Sequence, residues 1–408
     1  MRVPLLDLGE QYRALSDEIR AAADEVLASQ RFILGPKLAE FEKSTAQFCG
    51  VPYAIGVSSG TDALLAVLMA LEIGPGDAVI TTAYSFFATG GCIARVGATP
   101  VFIDIDPDTC NISPTALKSY IGEHCHRVEG KLLNENRQTI CALVPVHLFG
   151  LCCEMNEIRH VAREHDLLMI EDAAQAMGAE CPLENGPMKA GTMGEAGCFS
   201  FYPSKNLGAA GDAGMVVCQN EQFANRMRIC RQHGMEAHYQ HQFIGGNFRL
   251  DELQAAILKV KLPHLDRWSS ERREAAKFYT NEFRRVGLDA KIKLPVEPYG
   301  ESGLTNHHIY HQYVIRSRRR DELRRHLTDH EIETAIYYPL ALHEQQCFAY
   351  LGYKPGDFPE AERAARESLA LPIYPEIISS PPRTLPRSTI LPRSITRAST
   401  AVGKRSQL

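Results

Sequence analysis

Between residues 51 and 218 the chain alternates short apolar runs with longer amphipathic stretches. The runs at 78–82, 101–105, 139–147, 167–170, 196–201 and 213–217 are nearly continuous in apolar residues. Continuous runs, rather than alternating ones, predict strands covered on both faces. With helical stretches between them, they predict an α/β fold with a mostly parallel sheet sandwiched by helices. Ahead of that region, Tyr12, Leu15, Ile19, Ala22, Ala23 and Val26 mark one face of a helix over 10–28. A second helix is expected over 36–48. Past residue 250 the pattern changes, with a helix expected over 250–268 and a charged amphipathic stretch over 264–282. These would lead into a smaller C-terminal α/β domain with a strand over 310–315. His307 and His308 lie just before it and are expected to face solvent.

The pattern divides the chain into a large domain over 1–250, a linker helix with a small domain over 251–376, and a tail over 377–408. The tail carries six Lys/Arg and no acid, and Leu-Pro-Arg-Ser occurs in it at 385–388 and 391–394. It shows no apolar periodicity and reads as a disordered basic extension. A functionless extension is the preferred reading over contact with nucleic acid or anionic membrane. The body carries 38 basic and 49 acidic residues, which does not favour nucleic acid as a partner.

At 408 residues and 45% apolar content the chain can bury a sizeable core. No stretch has the length and apolarity of a membrane span, and residues 1–7 lack a signal peptide's apolar core, so a cytoplasmic protein is expected. Twelve cysteines are present without C-x-x-C spacing. Cys141, Cys198 and Cys218 fall inside apolar runs and read as small buried hydrophobes. His124-Cys125-His126 is the one cluster with metal-ligand chemistry, but neighbouring side chains point apart, and no metal is expected there.

Candidate chemistry centres on Lys205, in Phe199-Ser200-Phe201-Tyr202-Pro203-Ser204-Lys205-Asn206. A lysine at a strand-to-loop junction can be desolvated, which lowers its pKa and frees its amine to attack a carbonyl. The run 167–172 would carry Asp172 to the C-terminal end of a buried strand, where open α/β sheets bind ligands. A carboxylate there can hold a pyridine nitrogen protonated, and Gln175 can reach a phenolic oxygen of the same ring. The alternative role for Asp172 is a helix cap. Ser58-Ser59-Gly60-Thr61 stands between a short strand and an apolar helix, and helix N-termini bind phosphate. Phe86, after another strand, can stack on a flat ring. A phosphate cradle, a stacking aromatic, a carboxylate for a ring nitrogen and a Schiff-base lysine together describe pyridoxal 5′-phosphate.

The same residues, with Pro4-Leu5-Leu6-Asp7-Leu8, Gly246-Asn247-Phe248-Arg249-Leu250-Asp251-Glu252 and Tyr338-Pro339-Leu340 through His343, carry a family resemblance. Over roughly residues 3 to 376 the chain resembles the DegT-type (DegT/DnrJ/StrS) nucleotide-sugar aminotransferases. The resemblance implies the fold of aspartate aminotransferase, fold type I of the pyridoxal-phosphate enzymes. It implies that Lys205 forms the Schiff base and then moves the proton. Asp172 would hold the pyridinium, Gln175 the ring oxygen, and Gly60, Thr61 and Ser200 the phosphate, with Phe86 stacked on the ring. Asn247 would reach the phosphate in a neighbouring subunit, which makes a homodimer with shared sites the expected assembly. Tyr338 and His343 would face the sugar. The implied reaction converts a keto group, at C3 or C4 of a nucleotide-diphosphate sugar, to an amine with L-glutamate as donor, for a polysaccharide or glycoconjugate. Two alternatives remain in view. In the sugar-dehydratase branch a histidine replaces this lysine, so Lys205 argues against it. A regulatory protein using the basic tail would need a DNA-binding signal that the sequence lacks.

Overall fold

A computed structural model describes residues 2–377; of the tail expected to be disordered over 377–408, Ile377 is instead buried at the end of a 3-10 turn, and 378–408 lie outside the described residues. Helix α1 (Gly9–Ser29) buries Leu15, Ile19 and Val26 of the predicted stripe, with Ala22 and Ala23 half-buried and Tyr12 exposed. Helix α2 (Pro36–Cys49) starts with proline at its first turn, and its backbone N–H groups are met from far along the chain. The Glu252 carboxylate accepts from Gly35, Lys37 and Leu38 at 2.8–2.9 Å, a cap that only the tertiary fold can supply.

The central sheet holds β1 (Tyr53–Val57), β2 (Asp77–Thr82), β3 (Thr99–Ile103), β4 (Thr139–Val144), β5 (Leu168–Asp172), β6 (Ala196–Ser200) and β7 (Gly214–Cys218). Their order is β1-β7-β6-β5-β4-β2-β3, and a hairpin of Cys125–Val128 and Lys131–Asn134 joins beside β4 to complete nine strands. Neighbouring pairs from β6 through β3 are parallel, as expected, whereas β7 runs antiparallel to both β1 and β6. Alternate residues feed two cores. Ala78 and Ile80 of β2 enter one with Phe41, Met169, Phe199 and Trp268, while Val79 enters the other with Leu64, Val67, Ile170 and Val216. Helices α3 (Gly60–Ala70), α4 (Ala88–Arg95), α5 (Pro114–His124), α6 (Met155–Glu164) and α7 (Glu221–Cys230) connect the strands.

The helix expected over 250–268 is two elements. Helix α8 (Glu252–Lys261) ends in a 3-10 turn at Leu262–His264 that contains Pro263, and α9 (Leu265–Arg285) follows. The buried side of α8 and the first turns of α9 join the first of these cores through Ala255, Leu258, Leu262, Leu265 and Trp268. The second half of α9 turns to a separate core with Tyr279, Phe283, Tyr313, Leu327 and Leu369. That core also holds β8 (Tyr313–Arg316), antiparallel to β9 (Ser368–Leu371), with helices α10 (Arg320–Asp329) and α11 (Pro359–Glu367) alongside. Strand β8 starts later than the expected 310–315 because Tyr310 has φ +45°.

His308 is buried rather than solvated. Its ring stacks on Tyr310 at 3.8 Å, and its Nδ1 accepts the Tyr310 backbone N–H. His124 and His126 stand on the exposed hairpin side, where His124 meets Glu135 at 3.1 Å.

The N-terminal residues bridge the two parts. Val3 pairs beside Ile332, bonding to Glu331 and Glu333, and the Leu5 carbonyl accepts from Ile373. Helix α1 then packs on α8 in the large domain.

Candidate active site

The C-terminal ends of β5 and β6 bring the predicted residues together. Asp172 is the last residue of β5; its backbone N–H donates to the Pro145 carbonyl and its own carbonyl accepts from His147. Its buried carboxylate receives two hydrogen bonds, from the Thr89 hydroxyl at 2.7 Å and from the Ala174 N–H at 3.2 Å. Burial pushes its pKa up, and the Thr89 hydroxyl, the Ala174 N–H and the nearby Lys205 cation oppose that rise. No helix follows Asp172 in the described residues 173–179, so its bond to the Ala174 N–H closes a turn and the capping alternative is not realised.

Lys205 lies in the turn after β6, and the loop carrying it is fastened from several sides. Gln254 accepts the Ala210 N–H at 2.8 Å, and Lys261 donates to the Gly208 carbonyl at 2.6 Å. Asn206 donates to the Ile309 carbonyl at 3.3 Å, and its amide oxygen meets His311 Nδ1 at 3.0 Å. The Lys205 amine itself makes no hydrogen bond or ion pair among the described residues. Burial lowers its pKa to about 8, with the Asp172 charge pulling the other way.

Gln175 is oriented by two partners. Its Oε1 accepts the Phe149 N–H at 2.7 Å, which directs Nε2 to the Tyr338 hydroxyl at 2.6 Å. One further Nε2 hydrogen remains available. Gly60 and Thr61 open α3, with Ser59 as its cap accepting the Asp62 N–H at 3.0 Å. Ser200 ends β6 directly against this turn. A Cβ on Gly60 would stand 2.6 Å from the Ser200 Cβ, so only glycine lets the two backbones meet. Phe86, between β2 and α4, is 58% exposed, and Thr89 bonds back to its carbonyl. Asn247 is exposed and makes no side-chain hydrogen bond among the described residues, while the next residue, Phe248, accepts the Ser58 N–H through its carbonyl.

Tyr338 and His343 sit differently from a pair lining an open sugar pocket. Tyr338 is buried edge-on to Tyr84 and stacked on Phe149, and its hydroxyl rests on Gln175. His343 is buried against Phe358, with its Nε2 3.3 Å from Glu362.

These groups fit pyridoxal phosphate on their own chemistry. An unbonded amine with a lowered pKa, a carboxylate with spare acceptor capacity, an amide with a spare donor and a helix N-terminus without bulk match its aldehyde, ring nitrogen, ring oxygen and phosphate. The DegT/DnrJ/EryC1/StrS aminotransferase family profile matches residues 13–381.

The chain belongs to this family. It is a pyridoxal-phosphate-dependent aminotransferase. A pleiotropic regulatory protein of Geobacillus stearothermophilus is 46% identical over 92% of this chain and 95% of its own length. A UDP-N-acetyl-3-dehydro-alpha-D-glucosamine 3-aminotransferase of Acidithiobacillus ferrooxidans is 40% identical over 92% of this chain and 94% of its own. Among solved structures, S. venezuelae DesV in complex with a ketimine intermediate is similar at a TM-score of 0.86 and 36% identity, covering 100% of this chain and 99% of that one.

Sequence reasoning missed two features of the aminotransferase site and one beside it. Thr89 stands three residues after Phe86 in the same turn, a spacing that could have suggested a shared role. The Tyr338–Gln175 bond joins positions 163 residues apart and has no local signal. The His147–Glu171 pair, wholly buried at 2.8 Å, lies on the other face of β5.

Proposed function

We propose that this aminotransferase places the amino group of L-glutamate on a keto carbon of a nucleotide-diphosphate sugar. The 3-aminotransferase activity of the Acidithiobacillus relative supports C3 over C4. The observation that carries the reading is the Lys205 amine, unbonded and with its pKa lowered to about 8 beside Asp172. With a pKa of about 8, roughly a tenth of such an amine is neutral at pH 7 and free to bond a carbonyl and to take up a proton afterwards. Pyridoxal phosphate, when bound, supplies an electron sink that stabilises negative charge at the carbon exchanging its amine. Asp172 would keep the ring nitrogen protonated, Gln175 would donate to the ring oxygen, and Gly60, Thr61 and Ser200 would hold the phosphate, with Phe86 against the ring face. Lys205 moves the proton in both half-reactions. Tyr338 contacts the substrate side through the group it shares with Gln175, and His343 shapes that wall from behind.

The assembly in this reading is a homodimer. The unbonded Asn247 beside the phosphate turn, and exposed apolar side chains at Phe32, Ile33, Tyr239 and Ile244, favour a second copy covering this side. The two cores favour a large domain over 1–250 and a small one within 251–376, with α8 carried on the large one. A cytoplasmic setting suits twelve unpaired cysteines and a nucleotide-sugar substrate, and polysaccharide or glycoconjugate synthesis is the use we assign. No helix among the described residues is long and apolar enough to cross a membrane.

The test is the absorbance spectrum of purified protein before and after L-glutamate, beside Lys205→Ala. A yellow protein that bleaches with glutamate, and a variant that does not respond, support the donor and the lysine. Mass spectrometry of keto-sugar nucleotides incubated with the bleached enzyme then identifies the acceptor. A wild-type protein that neither carries nor takes up the cofactor overturns the reading.

A further inference from the structure

Asp172 is supported by a chain of hydroxyls that the aminotransferase chemistry does not by itself require. Thr89 Oγ1 is 2.7 Å from Asp172 Oδ2, 3.2 Å from Ser85 Oγ and 3.3 Å from the Phe86 carbonyl. A threonine in the first turn of a helix ordinarily satisfies itself on a carbonyl three or four residues back. Thr89 has one hydroxyl proton, however, and the carboxylate is both the nearer and the stronger acceptor. Its proton therefore goes to Asp172, and its lone pairs are left to receive the Ser85 hydroxyl. Both residues are buried, which excludes water as a substitute donor and strengthens each bond. Ser85, Phe86 and Thr89 all belong to one turn at the start of α4, so the element that offers an aromatic to the ring face also steers the carboxylate.

We propose that Ser85 and Thr89 form a two-hydroxyl relay that fixes the orientation and ionisation of Asp172, making Thr89 a positioning residue for transamination. This rests on Asp172 being the partner of the cofactor's ring nitrogen. The carboxylate is buried, and burial alone favours its neutral form; the relay offsets that by donating to the charged form. With one donor on each oxygen the carboxylate cannot rotate freely, and acceptor capacity is left for a ring N–H. Without the relay a more basic carboxylate draws the shared proton back from the ring. The ring then carries less positive charge to oppose protonation elsewhere on the cofactor.

The test is made on the loaded enzyme with Thr89→Val, Thr89→Ser, Ser85→Ala and Asp172→Asn. The readouts are the pH midpoint of the cofactor's visible absorbance, cofactor affinity measured by titrating apoprotein, and kcat and KM for L-glutamate. Thr89→Val is expected to raise the midpoint by about 0.5–1 pH unit, as loss of one charge-assisted hydrogen bond should. Its kcat should fall about 10-fold with KM within about 2-fold. Thr89→Ser should restore both, and Ser85→Ala should move the midpoint the same way by less. An unmoved midpoint in Thr89→Val overturns the relay; if that variant does not fold, an unmoved midpoint in Ser85→Ala does the same. Should Asp172→Asn leave absorbance and cofactor affinity unchanged, the assignment of Asp172 to the ring nitrogen fails, and the relay fails with it.

Discussion

Glu171 and Asp172 are adjacent carboxylates at the end of one buried strand, and they face opposite sides of the sheet. Glu171 accepts four hydrogen bonds, from His147 Nε2 and from the backbone N–H groups of Gly191, Met193 and Gly194, at 2.5–2.8 Å. Because His147 Nδ1 accepts the Cys153 N–H, its proton must sit on Nε2, which fixes the direction of that bond. Four donors fill a carboxylate's acceptor sites. Asp172 receives two and keeps capacity for a ligand. Two lysines make the same contrast. Lys205 and Lys261 both have their pKa lowered to about 8 by burial, yet Lys261 donates to the Gly208 carbonyl while the Lys205 amine finds no acceptor among the described residues. Depth and pKa do not separate structural from catalytic groups here; unfilled bonding capacity does.

The largest expected effect separates the lysines. Lys205→Ala should lower kcat on the order of 10⁴-fold, whereas Lys261→Met should change it by less than about 3-fold. Steady-state assays with L-glutamate and a keto-sugar nucleotide measure both, and equal losses would break the contrast. Next come the carboxylates. Asp172→Asn should lower kcat/KM by about 10²-fold or more with little change in unfolding midpoint. Glu171→Gln should instead cost about 3 kcal/mol of stability, because its amide group faces backbone donors that need an acceptor. Urea unfolding of the two apoproteins distinguishes these outcomes.

A pH series sharpens the lysine contrast further. The folded Lys205 pKa, about 8, lies below the ordinary 10.5, so between these values the unfolded chain holds a proton that the native protein has released. Apoprotein stability should therefore rise with pH across that window, and rise less steeply in Lys205→Met. Lys261 contributes the same sign in both proteins. Parallel unfolding curves for the two from pH 8 to 10 would show that the Lys205 amine is not desolvated. The smallest effect concerns neighbouring aromatics. Phe86→Ala should weaken cofactor binding by about 3- to 10-fold through loss of a ring stack. Phe87→Leu should leave affinity unchanged, since Phe87 packs on Phe348 at 5.6 Å. Apoprotein titration reads both.

Much of the sheet could be read in advance because a strand covered on both faces must be apolar throughout, as at 78–82 and 167–170. Strand direction carries no such mark. Nothing in the sequence of β7 distinguishes it from its parallel neighbours, and its antiparallel course emerges only from pairing with β1 and β6. Lys205, Asp172 and Gly60 were visible because each follows a strand or opens a helix, where local chain direction dictates exposure. The burial of Tyr338, His343 and His308 could not be read locally, because their surroundings come from distant segments. His343 meets Phe358 and Glu362 within a small cluster, and His308 owes its burial to the turn at Tyr310. The 3-10 turn at Leu262–His264 was signalled by Pro263 inside an otherwise helical run.

The bridge formed by the N-terminal residues sets an order on assembly during synthesis. Leu5 leaves the ribosome 328 positions ahead of Glu333, whose carboxylate receives its backbone N–H. Until residues 331–333 and 373 emerge, residues 3–5 have no partner strand, although α1 can settle on α8 well before then. Such a late, long-range closure follows completion of the large domain rather than guiding it. Removing residues 2–5 should thus leave early folding intact and act on the last step, in which residues 331–333 and 373 close around a segment made 328 positions before Glu333.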